Sequence, residues 1–278
     1  MKTWLRRSAL AGAVAWTALA AFAPFGLMEK LFLLAPLVAM PLAFALLEPA
    51  PWMTAVLQPF AAAAATASFF LPPGWTAAGL ATPWAILTGV ALLEALMRIR
   101  RYSPDTLLLT AAHFLLPVGG FWLLATRAGF APMGFPEPIV LLTAVHFHFT
   151  AFLAPLLAVQ AGARLPAAAI LFATPLLAVG FVYSPLLKLI AVIFLSTSLA
   201  ALALQQLRVR TSTRLARVLL ATSSLCLLAG MALAVVYEAG FFSGAATLAI
   251  PQVARSHGPL NGLGFALAGL VAWTHEKG

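Results

Sequence analysis

Hydrophobic segments long enough to cross a lipid bilayer recur along the whole of this chain, and that recurrence leaves few folds open. The hydrocarbon core of a bilayer is about 30 Å thick, and about 20 apolar residues cross it as an α-helix. No water is present there to bond a free N–H or C=O, so only helices and closed barrels satisfy every backbone group. A barrel would alternate apolar and polar residues in stretches of about ten, and these runs are apolar on every side. The sequence therefore reads as an all-α, polytopic integral membrane helical bundle, a single transmembrane domain over residues 1–278. Composition agrees: 63% of residues are hydrophobic and 8% are charged, against about half and a quarter in soluble domains.

The pattern predicts ten transmembrane helices, at 8–25, 31–47, 52–71, 77–97, 105–126, 138–161, 166–183, 185–207, 216–237 and 247–273. Prolines mark the joints, among them Pro24, Pro49, Pro51, Pro72, Pro73, Pro104, Pro138, Pro166 and Pro185. Proline suits the first turn of a helix and interrupts its interior. The stretch from Glu238 to Ser256 reads as a loop, a surface helix or a broken span. Residues 1–25 resemble a signal peptide, with Lys2, Arg6 and Arg7 ahead of an apolar core, and read as a retained first helix.

The net charge of +9 is explained by where the charges fall. With the N-terminus in the cytoplasm, one side receives Lys2, Arg6, Arg7, Arg98, Arg100, Arg101, Arg164, Arg208, Arg210, Arg214, Arg217 and Lys277. The other receives Lys30, Arg127 and Arg255, while Lys188 falls within a span, close enough to its outer end to snorkel outward. The positive-inside rule then places both the N-terminus and the C-terminus in the cytoplasm. The basic clusters belong at lipid headgroups, with anionic-lipid contact as a secondary role, and nucleic acid is not needed to explain them. The lone cysteine, Cys226, excludes an internal disulfide or a CxxC motif and reads as a buried, inert thiol.

Polar residues inside spans are the candidate site, because each costs free energy unless it is paired or used. LLTAAHF at 108–114 and LLTAVHF at 141–147 repeat one motif on consecutive, antiparallel spans. His113 and His146 each lie roughly 12–14 Å deep, so the hairpin could bring them face to face. Thr110 and Thr143, three residues earlier on the same face, would orient the imidazoles or bond their own backbone. His148 follows His146 by two residues, about 200° around a helix, so the two rings cannot chelate one ion without distortion. His257 and Asn261 share a face in RSHGPLNGLGF, whose glycines admit close approach. Elsewhere Glu94 reads as the i,i+4 partner of Arg98, Glu238 as a partner for Arg255, Gln205 and Gln206 as headgroup contacts, and Tyr183 and Tyr237 as belt residues. His275 reads as solvated.

Three readings follow. The first is a transporter-like bundle that binds a small solute or proton at His113, His146, His148, His257 and Asn261, the imidazoles titrating near neutrality. The second is a membrane protein holding haem or a transition metal, with His113, His146 and His257 as metal ligands. The third is a structural or assembly protein with satisfied histidines. No carboxylate lies beside these histidines in sequence, which leans against an enzyme.

LLTAVHFHFTAF (141–152) and SHGPLNGLGFALAGLVAW (256–273) resemble signature stretches of the YndJ-like family of bacterial membrane proteins, over roughly residues 105–275. The resemblance implies a multi-pass fold in the bacterial cytoplasmic (inner) membrane and a transporter-like activity without a defined substrate. It makes His146, His148, His257 and Asn261 the motif-matching positions. His113 rests on the repeat alone.

Overall fold

The computed structural model describes residues 1–99, 103–245 and 250–277. Arg100 and Arg101 of the orientation signal, and residues 247–249 at the start of the tenth expected span, lie outside the described residues. Among the described residues there is no strand. Joined through π-helical turns, the helices form ten rods: α1 (Lys2–Phe22), α2 (Leu27–Leu46), α3 (Trp52–Ser68), α4 (Trp75–Arg98), α5 (Pro104–Ala128), α6 (Ile139–Gln160), α7 (Arg164–Tyr183), α8 (Pro185–Arg208), α9 (Arg214–Ser243) and α10 (residues 250–276).

Seven of these rods, α2 and α4 to α9, are long and apolar enough to cross a membrane. The other three fall outside that set for visible reasons. α1 carries Arg6 and Arg7 in its first two turns, α3 is 17 residues long, and α10 carries Arg255, His257 and Asn261. The end of α9 also departs from expectation. It runs past residue 237 to Ser243 and stops at Gly244, whose φ of 74° is the left-handed conformation glycine adopts at low cost.

The helices group into two compact units, 1–152 and 153–278. In the first, α2 is the core. Every residue from Leu31 to Leu47 is buried, as a helix apolar on all sides requires. A π turn at Ala35–Ala39 interrupts it between Pro36 and Pro41. Pro41 has no N–H to return to the Pro36 carbonyl, and Gln58 of α3 bonds that carbonyl instead, at 2.8 Å. Gln58 in turn accepts from Ser8 of α1, at 2.6 Å. A Cβ at Gly12 of α1 would lie 1.8 Å from the Leu37 carbonyl oxygen, so α1 crosses this turn backbone to backbone.

Charged side chains close both ends of α3. At its start Glu94 of α4 accepts from the amides of Met53 (3.1 Å) and Thr54 (3.0 Å) and from the Thr54 hydroxyl (2.6 Å). At its end Arg127 of α5 donates to the carbonyls of Ser68 (2.9 Å) and Leu71 (2.6 Å) and lies over the Phe69 ring. Both side chains are buried. Each charge has the sign that the helix macrodipole favours at that end. Glu94 was expected to serve Arg98 within its own helix. It acts electrostatically on Arg98 and also bonds α3, whose first amides have no other acceptor, because Pro51 at the cap position offers no side-chain bond.

In the second unit, α7 and α8 form a hairpin around Ser184, whose hydroxyl caps α8 at the Leu187 amide. α9 and α10 meet along small residues. A Cβ at Gly264 would lie 2.5 Å from the Cys226 sulfur, and one at Gly269 would lie 3.0 Å from the Ser223 hydroxyl. Cys226 is therefore a packing thiol, half-buried rather than fully buried. α10 contains its own π turn, Leu260–Leu267, directly after Pro259, and Ser223 of α9 bonds the Phe265 carbonyl within it at 2.9 Å.

Replacing Glu94 by alanine strands two buried amides, and Arg127→Ala strands two carbonyls. Each substitution is expected to lower stability by about 2–4 kcal/mol, because hydrogen bonds to charged groups contribute about 1.5–3 kcal/mol each. Thermal or SDS titration of the purified protein in detergent measures this. A loss within about 0.5 kcal/mol of zero, as for an exposed surface substitution, would contradict the capping role.

Candidate functional site

His113, His146 and His148 belong to the first unit, and all three make the same local bond. Nδ1 of His113 lies 2.6 Å from the Leu109 carbonyl, that of His146 2.7 Å from Leu142, and that of His148 2.7 Å from Ala144. A carbonyl oxygen only accepts, so each ring carries its proton on Nδ1 and presents the Nε2 lone pair. The bond satisfies one nitrogen inside the helix and leaves the other to the surroundings. Those surroundings differ for each ring.

His148 is fully buried and fully used. Its Nε2 accepts from the Trp84 indole N–H of α4 at 3.0 Å, its ring stacks on Trp84, and its edge meets Phe32 of α2. Gly119 of α5 makes room for it: a Cβ there would lie 2.8 Å from Nδ1. His146 is exposed. The HFH pair sits on regular α-helix, so its two rings diverge as the 200° spacing predicts. His113 is 1% exposed, with its ring edge-on to Phe152, and its Nε2 is buried without a hydrogen-bond partner. The expected face-to-face arrangement of His113 and His146 therefore pairs a buried ring with an exposed one. Thr110 and Thr143 bond the carbonyls of Thr106 and Ile139, four residues back, rather than the imidazoles.

A π turn, Phe149–Leu153, begins one residue after His148 and contains Phe152, the ring packed on His113. Pro155 follows it and lacks the N–H that regular helix would need. Prolines inside α3, α4, α5 and α7 leave the helix regular, so proline is not sufficient to produce such turns. π turns occur often where a side chain must be re-aimed at a functional position.

In the second unit His257 and Asn261 both converge on Gly230 of α9. Nδ1 of His257 donates to the Gly230 carbonyl at 2.9 Å. Asn261 donates to the His257 carbonyl at 2.8 Å and lies where a Cβ on residue 230 would stand, 2.5 Å away. The Asn261 Oδ1 is buried without a partner. Gly230 itself had no motif around it in the sequence.

A buried charge pair lies outside the expectations drawn from the sequence. Lys188 of α8 and Glu238 of α9 lie 3.0 Å apart, with side chains 10% and 4% exposed. The ammonium sits 3.8 Å from the Phe241 ring centroid and 5.1 Å from that of Phe181. Lys188 thus does not snorkel outward, and Glu238 pairs with it rather than with Arg255. The signal was available: the two charges lie near the same end of consecutive antiparallel spans. Gln206 also departs from expectation, its amide being buried without a partner. His275 is exposed, as expected. Among the described residues no group of three or more His, Cys, Asp or Glu side chains is placed to hold a metal ion.

The YndJ-like protein family matches residues 30–265, which extends the similarity well before residue 105 into α2. The uncharacterized membrane protein YndJ of Bacillus subtilis (strain 168) is 33% identical over 213 residues, covering 71% of this chain and 38% of that protein. The chain thus matches well under half the length of that relative. No solved structure matches significantly. With the family matched over most of its length and seven helices of membrane-crossing length, this chain belongs to the YndJ-like protein family and is a multi-pass membrane protein of the bacterial cytoplasmic membrane.

Proposed function

We propose that this chain is a transporter-like membrane bundle that takes a proton or a small hydrogen-bond-donating solute at buried acceptors within the bilayer. The carrying observation is the Nε2 of His113, a buried lone pair that no protein group meets. An unsatisfied buried polar atom costs about 1–3 kcal/mol, a cost that a ligand or an ordered water would offset. Asn261 Oδ1 stands in the same condition in the other unit, beside His257. Both acceptors adjoin π turns. The reading includes ten spans with both termini cytoplasmic, supported by the distribution of lysine and arginine. His148, with both nitrogens engaged, is a packing residue here.

Proteoliposomes containing a pH-sensitive dye test the proposal. A potassium diffusion potential is expected to drive proton entry with the wild-type protein. His113→Ala is expected to return the rate to that of protein-free vesicles while keeping the helical content. His148→Phe is expected to do the opposite. It strands the Trp84 N–H and lowers stability by about 1–3 kcal/mol, with flux per folded protein kept. Equal flux in wild type and His113→Ala would remove His113 from the site.

Gly230→Ala tests the second unit. Its methyl group would occupy the place of the Asn261 amide, at an expected cost of about 1–3 kcal/mol from overpacking. An unchanged melting temperature in detergent would show that the His257–Asn261–Gly230 packing is not as described.

A further inference from the structure

Four arginines crowd the turn between α8 and α9 without a partner. Arg208 is the last residue of α8, Arg210 lies in the connection, Arg214 opens α9 and Arg217 follows within its first turn. All four are exposed. None has an ion pair or side-chain hydrogen bond among the described residues. The second unit carries eight lysines and arginines but two glutamates. Glu238 is engaged with Lys188, and Glu276 brings one carboxylate to the turn, its Oε1 accepting from the Ser212 amide at 2.7 Å. One carboxylate, bonded to a backbone amide, thus stands among four guanidinium groups, and positive charge remains in excess at the turn.

The placement of Arg214 and Arg217 adds a second argument. Cations in the first turn of a helix face the positive end of its macrodipole, which disfavours them. A further anion at the turn would relieve both that repulsion and the repulsion among the guanidinium groups. The neighbouring side chains are apolar and also exposed: Leu207, Leu215 and Val218. Arginines next to exposed aliphatic side chains at the end of a membrane-length hairpin match the boundary between headgroups and acyl chains.

We propose that the α8–α9 turn is a binding surface for an anionic phospholipid, its phosphate held by Arg208, Arg210, Arg214 and Arg217 and its acyl chains lying on Leu207, Leu215 and Val218. Guanidinium groups suit this ligand because their paired N–H donors match phosphate oxygens. The surface does not depend on the proposed solute site, and the two fail separately.

Native mass spectrometry of the detergent-purified protein tests it, with dioleoyl phosphatidylglycerol or dioleoyl phosphatidylcholine as the added lipid. Wild-type protein is expected to hold phosphatidylglycerol at about tenfold lower concentration than phosphatidylcholine, as several basic contacts to an anionic headgroup imply. The variant carrying Arg208→Gln, Arg210→Gln, Arg214→Gln and Arg217→Gln is expected to lose that preference. The four corresponding changes to lysine should keep most of it. The pair Arg208→Gln and Arg217→Gln retains half the basic charge, which guards against misinsertion, and should show an intermediate loss. Circular dichroism checks that helical content is unchanged. An unchanged preference in the glutamine variants overturns the proposal, as does a wild type without preference. So does displacement of the lipid by millimolar inorganic phosphate, or tighter binding of a duplex oligonucleotide than of phosphatidylglycerol.

Discussion

A helix of 17 residues, α3, is held at one end by a buried carboxylate and at the other by a buried guanidinium, and the first unit is organised around that clamp. In a bilayer the end groups of a short helix have no water to meet, so other helices must supply partners. Glu94 commits α4 to the start of α3, and Arg127 commits α5 to its end. Two consecutive antiparallel helices are thereby tied to opposite ends of a third. Further charge surrounds the second tie, where Glu29 and Glu137 act electrostatically on Arg127 and Glu137 also bonds Thr126. The same two helices carry Trp84, His113 and Gly119, so the placement of the candidate site depends on the clamp.

Proline accompanies the local irregularities without being sufficient for them. Each π turn lies beside a proline whose missing N–H frees a carbonyl, and side chains from neighbouring helices complete two of the three turns: Gln58 at Pro36, and Ser223 at Phe265. Two π turns follow the histidine motifs directly. The irregular backbone that re-aims side chains thus adjoins the positions where buried acceptors stand unpaired. This coincidence links the irregular backbone to two of the buried acceptors, His113 Nε2 and Asn261 Oδ1.

The rods were legible in the sequence because hydrophobic length and proline punctuation act locally. Among the described residues ten helical rods stand close to the expected stretches, seven of them long and apolar enough to cross a membrane, and HFH diverges as helical geometry requires. Partnerships across helices were harder to read. Glu94 could be assigned to Arg98 because both lie on one helix, whereas its bonds to α3 depend on a packing that no local spacing encodes. Lys188 and Glu238 lie 50 positions apart, and only depth in a common topology relates them. The near-repeat around His113 and His146 placed one histidine on each of two consecutive helices of membrane-crossing length. It could not say that one would be buried and the other exposed, since that depends on which face each helix turns to its neighbours.

The histidines of α5 and α6 share one tautomer and differ in what meets Nε2. Solid-state nitrogen NMR of the reconstituted protein with 15N-labelled histidine, assigned by single substitutions, reads both properties. Expected are protonated Nδ1 atoms at His113 and His148, with the His148 Nε2 bonded to Trp84 and losing that signature in Trp84→Phe. The His113 Nε2 should be unprotonated, untouched by any indole, amide or hydroxyl of the protein. A proton on His113 Nε2, or a protein donor bound to it, would contradict the claim and return His113 to the packing of the bundle.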